Sequence, residues 1–278
     1  MTFKTIVFAA ALTAVAGFTQ AGERVISIGG AVTEIVYALG EQHRLVARDT
    51  TSSFPEVAED LPDVGYMRRL SPEGVLSLNP DLILASEGSG PPETVALLEA
   101  ASIDYVVIPD DPSAEGIAEK IRAIGAALGV SDKAEALATD VLDRIAAAQG
   151  TAGAIDGNAR VLFVLSTQNG RVLASGTNTA ASAVIEMAGG TNAMTEFEGY
   201  KPLTDEAILA AAPDVILAMD RGENHDTATE SLMGVPALAV TPAGQNGRIV
   251  HMDGLYLLGF GPRTADAVLD LNKAIYGS

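Results

Sequence analysis

Leu70-Ser71-Pro72-Glu73-Gly74-Val75-Leu76-Ser77-Leu78-Asn79-Pro80-Asp81-Leu82-Ile83-Leu84-Ala85 returns later in the chain as Leu203-Thr204-Asp205-Glu206-Ala207-Ile208-Leu209-Ala210-Ala211-Ala212-Pro213-Asp214-Val215-Ile216-Leu217-Ala218. The shared frame is L-x-x-E-x-x-L-x-x-x-P-D-x-I-L-A. Glu73 to Glu206 and Pro80 to Pro213 both span 133 positions. A Gly-Tyr pair precedes each copy, at Gly65-Tyr66 and Gly199-Tyr200. Solenoid repeats recur every ~20–50 residues, so a period this long describes two similar lobes.

Each copy has a local physical meaning. The Ser71 or Thr204 hydroxyl caps a short helix, with an acid in its first turn. Leu70 and Leu76, or Leu203 and Leu209, give that helix an apolar side. Pro80 or Pro213 ends it, because proline disfavours helical geometry for the residue before it. The runs 81–85 and 214–218 then read as short buried strands. Each copy is helix, turn, strand.

Composition limits the function classes. Seventeen basic residues face 36 acidic ones, for a net charge of −19. Nucleic acid is excluded as a partner, since phosphate binding needs clustered Lys and Arg. Cysteine is absent, which removes disulfides, thiolate metal sites and cysteine nucleophiles. Residues 1–21 read as a cleavable secretory signal: Lys4, an apolar run Ile6 through Phe18, and small residues Thr19 and Ala21 before a cut at Gly22. That run is shorter than the ~20 residues of a membrane span. The chain therefore reads as exported and not membrane-embedded.

In order, Arg24 to Ile28 reads as a strand followed by Gly29-Gly30 and a helix from Thr33. That helix start reads either as an anion site made of backbone amides or as plain strand–helix packing. Gly88-x-Gly90-x-x-Glu93 is a near miss for a dinucleotide fingerprint, its third glycine replaced by an acid. A helix is expected over 114–128. Ser131-Asp132-Lys133 is expected to cap a longer one. Ala134, Leu137, Ala138, Val141, Leu142, Ile145 and Ala148 lie on one face of it, and Gly150, Gly153 and Gly157 mark its end. It reads as a connector between lobes or as an ordinary helix of the first lobe. The division is 1–21 signal peptide, 22–130 N-terminal lobe, 131–156 connector helix and 157–278 C-terminal lobe. The fold class is α/β, with two Rossmann-like lobes joined by one long helix.

No catalytic set emerges. The three histidines, His43, His225 and His251, form no HExxH pair, and no GxSxG elbow or phosphate loop exists. Two lobes, a signal peptide and no catalytic constellation describe a binding protein rather than an enzyme.

Val64-Gly65-Tyr66-Met67-Arg68-Arg69-Leu70-Ser71-Pro72-Glu73-Gly74-Val75-Leu76 resembles the periplasmic haem-binding proteins of bacterial ABC haemin importers. Arg48-Asp49-Thr50-Thr51, Ala85-Ser86-Glu87-Gly88, Met252-Asp253-Gly254-Leu255 and Leu258-Gly259-Phe260-Gly261-Pro262-Arg263-Thr264 carry the same resemblance. It implies a class III periplasmic binding protein fold, shared with cobalamin and ferric-siderophore binders. It also implies a periplasmic, monomeric protein serving iron uptake. Ferric haem, the transported ligand, would bind between the lobes with Tyr66 as the axial iron ligand, a hard donor suited to Fe(III). Arg221, from the second lobe, would bond the tyrosine oxygen; Arg68 would face a propionate and Met67 the porphyrin. The family's Arg-Gly-Leu-Glu is here Arg221-Gly222-Glu223-Asn224-His225, so the match stops after Gly222. Tyr200 is either a haem contact or a packing tyrosine, and His225 is a candidate sixth ligand. Some relatives place a second haem ligand, a histidine, before this Gly-Tyr; Thr195-Glu196-Phe197-Glu198 stands there instead. Glu73 and Glu206 would dock onto the inner-membrane permease, which works with its ATPase. Cobalamin or a ferric siderophore is the alternative ligand.

Overall fold

The computed structural model describes residues 23–154, 157–168, 170–220 and 228–277. The segment expected to be a signal, 1–21, together with Asn169, Arg221 and His225, lies outside the described residues.

The first half runs β1 (Val25–Ile28), α1 (Gly30–Ala38), β2 (Leu45–Arg48), α2 (Pro72–Leu76), β3 (Leu82–Ser86), α3 (Pro92–Glu99), β4 (Asp104–Ile108) and α4 (Ala114–Leu128). Its four strands are all parallel, in the order β2-β1-β3-β4. α5 (Ser131–Gly153) follows. The second half runs β5 (Arg160–Gln168), β6 (Arg171–Ser175), α6 (Ala180–Met187), β7 (Thr191–Asn192), β8 (Tyr200–Pro202), α7 (Asp205–Ala211), β9 (Val215–Asp220), α8 (Thr229–Met233), α9 (Pro236–Ala239), α10 (Pro242–Gln245), β10 (Ile249–Asp253), α11 (Gly254–Leu258) and α12 (Thr264–Tyr276). Its strands are ordered β10-β9-β5-β6-β8, with β7 also on β5. The pairs β1–β3 and β5–β9 are equivalent parallel neighbours, with Ile26 opposite Ile83 and Leu162 opposite Ile216. The second sheet departs from the first at β6, which runs antiparallel to β5.

The repeat is visible atom by atom. The Ser71 hydroxyl accepts from Gly74 N–H, and the Thr204 hydroxyl from Ala207 N–H. Asn79 and Ala212, each before its proline, both take left-handed backbone (φ 47° and 42°). Asp81 accepts from the Arg24 N–H at 3.1 Å, and Asp214 from the Arg160 N–H at 2.9 Å. The side chains of Arg24 and Arg160 turn back onto carbonyls behind the helices: Arg24 Nε to Asn79 O at 2.9 Å, Arg160 Nε to Ala211 O at 2.8 Å. The Ala211 carbonyl is the last of α7 and has no intrahelical partner, and the Asn79 carbonyl lies in the turn after α2; in each lobe a guanidinium satisfies it.

α5 begins at Ser131 as expected, but Ser131 does not cap it. Gly129 ends α4 in left-handed backbone (φ 73°), and the chain re-enters a helix at once. Val130 therefore occupies the cap position, without a side-chain bond. Lys133 anchors this end instead, bonding Glu41 at 2.8 Å and Leu39 O at 3.4 Å. Gly150 does not stop the helix, which continues through Gly153.

α5 packs against α4 on one side and α12 on the other. One apolar cluster runs unbroken from Val25 and Ile35, through Ala138, Val141 and Ile145 of α5, to Phe163, Val184 and Leu271. Each fully buried aliphatic side chain in it contributes ~1.5–3 kcal/mol. The two halves thus share a core beneath the connector, which stiffens their relation.

Candidate functional site

Tyr66 sits on a turn stitched to the carboxyl edge of the first sheet. Thr50, just after β2, donates to Gly65 O at 3.1 Å, and Gly90, after β3, donates to Met67 O at 2.9 Å. Leu70 N–H returns to Gly90 O at 3.0 Å. Buried Val64 and Leu70 pin both ends into an apolar cluster with Ile26, Ile83 and Leu98. Gly65 has φ 92°, the left-handed region that glycine enters at no steric cost. The carboxyl ends of parallel strands are where α/β folds bind ligands.

Within this turn Tyr66 and Met67 are half-buried, and Arg68 and Arg69 are exposed. Arg69 N–H donates to Tyr66 O at 2.7 Å, closing a four-residue turn. That closure brings Arg69, not Arg68, to the tyrosine: its guanidinium carbon is 5.9 Å from the Tyr66 ring centroid. Neither arginine forms an ion pair among the described residues. The nearest acids along the chain are Glu73, exposed in the first turn of α2, and Asp63, which is held by Arg48 at 3.0 Å and by the Gly65 N–H at 2.7 Å.

The glycine-led start of α1 is packing, not an anion site. Gly29 N–H is taken by Asp49 at 2.9 Å and Gly30 N–H by the Thr51 hydroxyl at 2.9 Å. A Cβ on Gly30 would lie 2.5 Å from Leu255, so α11 closes over it. Asp49 is fully buried and also accepts from Ser52 at 2.9 Å and from Thr51.

Three groups missed by the sequence reading join the lobes. Lys120 of α4 has no exposed surface; its ammonium reaches Asp110 at 2.5 Å, Phe260 O at 3.1 Å and Gly259 O at 3.3 Å. Glu34, buried on α1, binds Arg263 through its side chain at 2.9 Å and its N–H at 3.2 Å. The Arg263 guanidinium lies 3.5 Å over the Phe54 ring and 5.2 Å from that of Tyr256. Burial and a hydrogen bond to Asp270 push the Tyr256 phenol well above its usual range. Phe54, Asp253, Tyr256 and Arg263 line a cavity of about 340 Å3 between the lobes. A larger cavity, about 460 Å3, lies on the second lobe between α7 and residues 193–203, with no first-lobe residue in its lining. Tyr66, Met67, Arg68 and Tyr200 line neither of these two cavities. No one-dimensional signal marks Lys120, since partners 139 and 140 positions away complete its shell.

The other predicted residues fall as follows. Tyr200 opens β8, exposed, its ring edge-on to buried Phe163 at 6.4 Å. Glu73 and Glu206 are both exposed in the first turns of α2 and α7. Its own N–H and the Thr204 hydroxyl hold the Glu206 carboxyl below the usual carboxylate range. His43 is exposed. His251 has a bridging place: Nε2 is 3.0 Å from the Thr229 hydroxyl and Nδ1 3.4 Å from Asp220. Among the described residues no three His, Asp or Glu gather as a metal site, and no helix is long and apolar enough to cross a membrane.

Comparison with known proteins agrees with this architecture. The periplasmic heme-binding protein RhuT from Roseiflexus sp. RS-1 in apo form superposes with a TM-score of 0.88 at 42% identity, over 92% of this chain and 98% of that one. The periplasmic heme-binding protein BhuT in complex with two hemes gives 0.85 at 42% identity, over 91% and 97%. A vitamin B12-binding protein of Pectobacterium carotovorum is 27% identical over 223 residues, covering 78% of this chain and 80% of its own. The family model for periplasmic binding proteins matches residues 25–256. With two α/β lobes around one connector helix, and that match across both, this chain belongs to the periplasmic binding protein family.

Proposed function

We propose that this chain is the substrate-binding component of an ABC haem importer. It takes up ferric haem in the periplasm and delivers it to an inner-membrane permease and its ATPase. The observation that carries this reading is the Tyr66 turn. A half-buried phenol stands beside the Arg69 guanidinium, with Arg68 next to it in the chain and neither arginine ion-paired among the described residues, in a chain 42% identical to two heme-binding structures. Phenolate oxygen is a hard donor for Fe(III). Unpaired arginines match the two carboxylates of a haem molecule. In a protein of net charge −19, such a cationic turn is unexpected unless it meets an anion.

In this reading Tyr66 ligates the iron, Met67 meets the porphyrin face, and Arg68 faces a propionate. Arg221 supplies the second-lobe cation, and Tyr200 borders the same cleft. Glu73 and Glu206 contact the permease, supported by their exposure and matched places on the two lobes. Residues 1–21 direct export, and lobes 22–130 and 157–278 flank the connector 131–156. The mature protein acts as a monomer.

Haemin titration followed by absorbance tests the ligand. The expected result is a high-spin ferric tyrosinate spectrum that disappears in Tyr66→Phe. An unchanged spectrum in that variant removes Tyr66 as ligand. Saturable binding of cobalamin or a ferric siderophore, with none of haemin, would transfer the protein to those ligand classes.

A further inference from the structure

We infer that Arg69, through the ring of Tyr66, is the positioning residue that stabilises the iron-bound phenolate. Arg68 has no part in that step. The inference rests on the haem reading and adds a residue to it. Arg69 N–H bonds Tyr66 O at 2.7 Å, which sets the first and last side chains of the turn together. The Arg69 guanidinium then lies 5.9 Å from the ring centroid of Tyr66. Both partners are in the same rigid turn, held by Thr50 and Gly90. A cation near an aromatic face is attracted by the ring's negative quadrupole. The attraction grows when the phenol carries the full negative charge of a ligand, and grows again when a bound porphyrin excludes water. No carboxylate competes for Arg69 among the described residues. The neighbouring Arg68 makes no ring contact with Tyr66 among the described residues, so its charge remains available to a peripheral carboxylate.

The test uses the full mature chain with Arg69→Gln, Arg69→Lys, Arg68→Gln and Tyr66→Phe, each titrated with haemin. Arg69 is exposed, and glutamine keeps the backbone bond of the turn. The expected loss of haemin affinity in Arg69→Gln is about threefold to thirtyfold, the range of a cation–π contact from exposed to desolvated. A positive charge beside the phenolate lowers its donor level. Its removal should therefore move the phenolate-to-iron charge-transfer band to longer wavelength and make the bound haem harder to reduce. Arg69→Lys should restore the band. Arg68→Gln should lose affinity with the band in place. An unshifted band and parental affinity in Arg69→Gln overturn the inference, as does an equal band shift in Arg68→Gln. Parental spectrum and affinity in Tyr66→Phe would instead overturn the ligand assignment beneath it. Loss in Tyr66→Phe with no change in Arg69→Gln removes Arg69 alone.

Discussion

Replacing Lys120 with methionine removes one charge and keeps an unbranched apolar stem one atom shorter. In the native protein the Lys120 side chain is 0% exposed, and its ammonium holds Asp110 and the carbonyls of Gly259 and Phe260. Hydrogen bonds to a charged donor contribute ~1.5–3 kcal/mol each. Breaking a buried pair from one side costs ~3–5 kcal/mol. The Asp110 side chain is 41% exposed, so water takes over part of its share. The two carbonyls lie in the interlobe seam and lose the bonds from this ammonium. The desolvation of the ammonium is recovered at the same time. A net loss of about 3 kcal/mol remains, a drop of roughly 6–9 °C in melting temperature for a chain of this size. Thermal melts at pH 7 read the first effect. Hydrogen exchange at the amides of 259–261 reads the second, because a loosened seam opens there before the core does. Lys120→Met with a melting temperature within about 1 °C of the parent, and unchanged exchange at 259–261, would refute the account of Lys120 as the interlobe fastener. Adding Asp110→Asn should recover part of the loss, since replacing both partners of a buried pair is less costly than replacing one.

Three further outcomes are expected. Glu41 is held below the usual carboxylate range, first by its bond to Lys133 and then by Arg44. A depressed folded value means stability present above the unfolded value, near 4.3, and lost as pH falls through the folded value. Glu41→Gln should therefore destabilise the protein at neutral pH and flatten its acid melting curve below about pH 4.3, measured by denaturant titration from pH 3 to 7. Thr204→Ala removes the hydroxyl that accepts from Ala207 N–H and should cost about 1 kcal/mol; Thr204→Ser should restore it in the same chemical melt. A Cβ on Gly125 would lie 2.1 Å from that of Ala134. Gly125→Ala should push α4 from α5 and cost ~1–3 kcal/mol, seen as a lower denaturant midpoint.

Much of the architecture is local and can be read in one dimension. Ser71 and Thr204 cap their helices because a hydroxyl before a short apolar run has few other uses. Pro80 and Pro213 mark the exits, and the equal spacing of the two copies carries the second lobe. The matched positions of Glu73 and Glu206, and of Tyr66 and Tyr200, follow from the same repeat, while the roles proposed for them come from the family resemblance. Nothing local marks the roles of Arg24, just before β1, and Arg160, the first residue of β5, because what they bond lies over 50 positions away. α5 starts at Ser131 as the sequence predicts, but propensity favours a hydroxyl cap there, whereas left-handed Gly129 leaves Val130 in the cap position.

The sequence alone determines what neighbours in the chain can enforce: two α/β lobes, their connector, and a tyrosine followed by two arginines. Only the tertiary structure decides which arginine meets the tyrosine. The turn itself is local, but Thr50 and Gly90, distant in the chain, hold it in the closed form that sets Arg69 rather than Arg68 against the ring. The tertiary structure also decides that the amides of Gly29 and Gly30 serve Asp49 and Thr51 rather than a ligand. The seam of Lys120, Glu34 and Arg263 belongs wholly to that level. Its partners are 139, 140 and 229 positions apart, and only packing against the shared core brings such distant groups within bonding range.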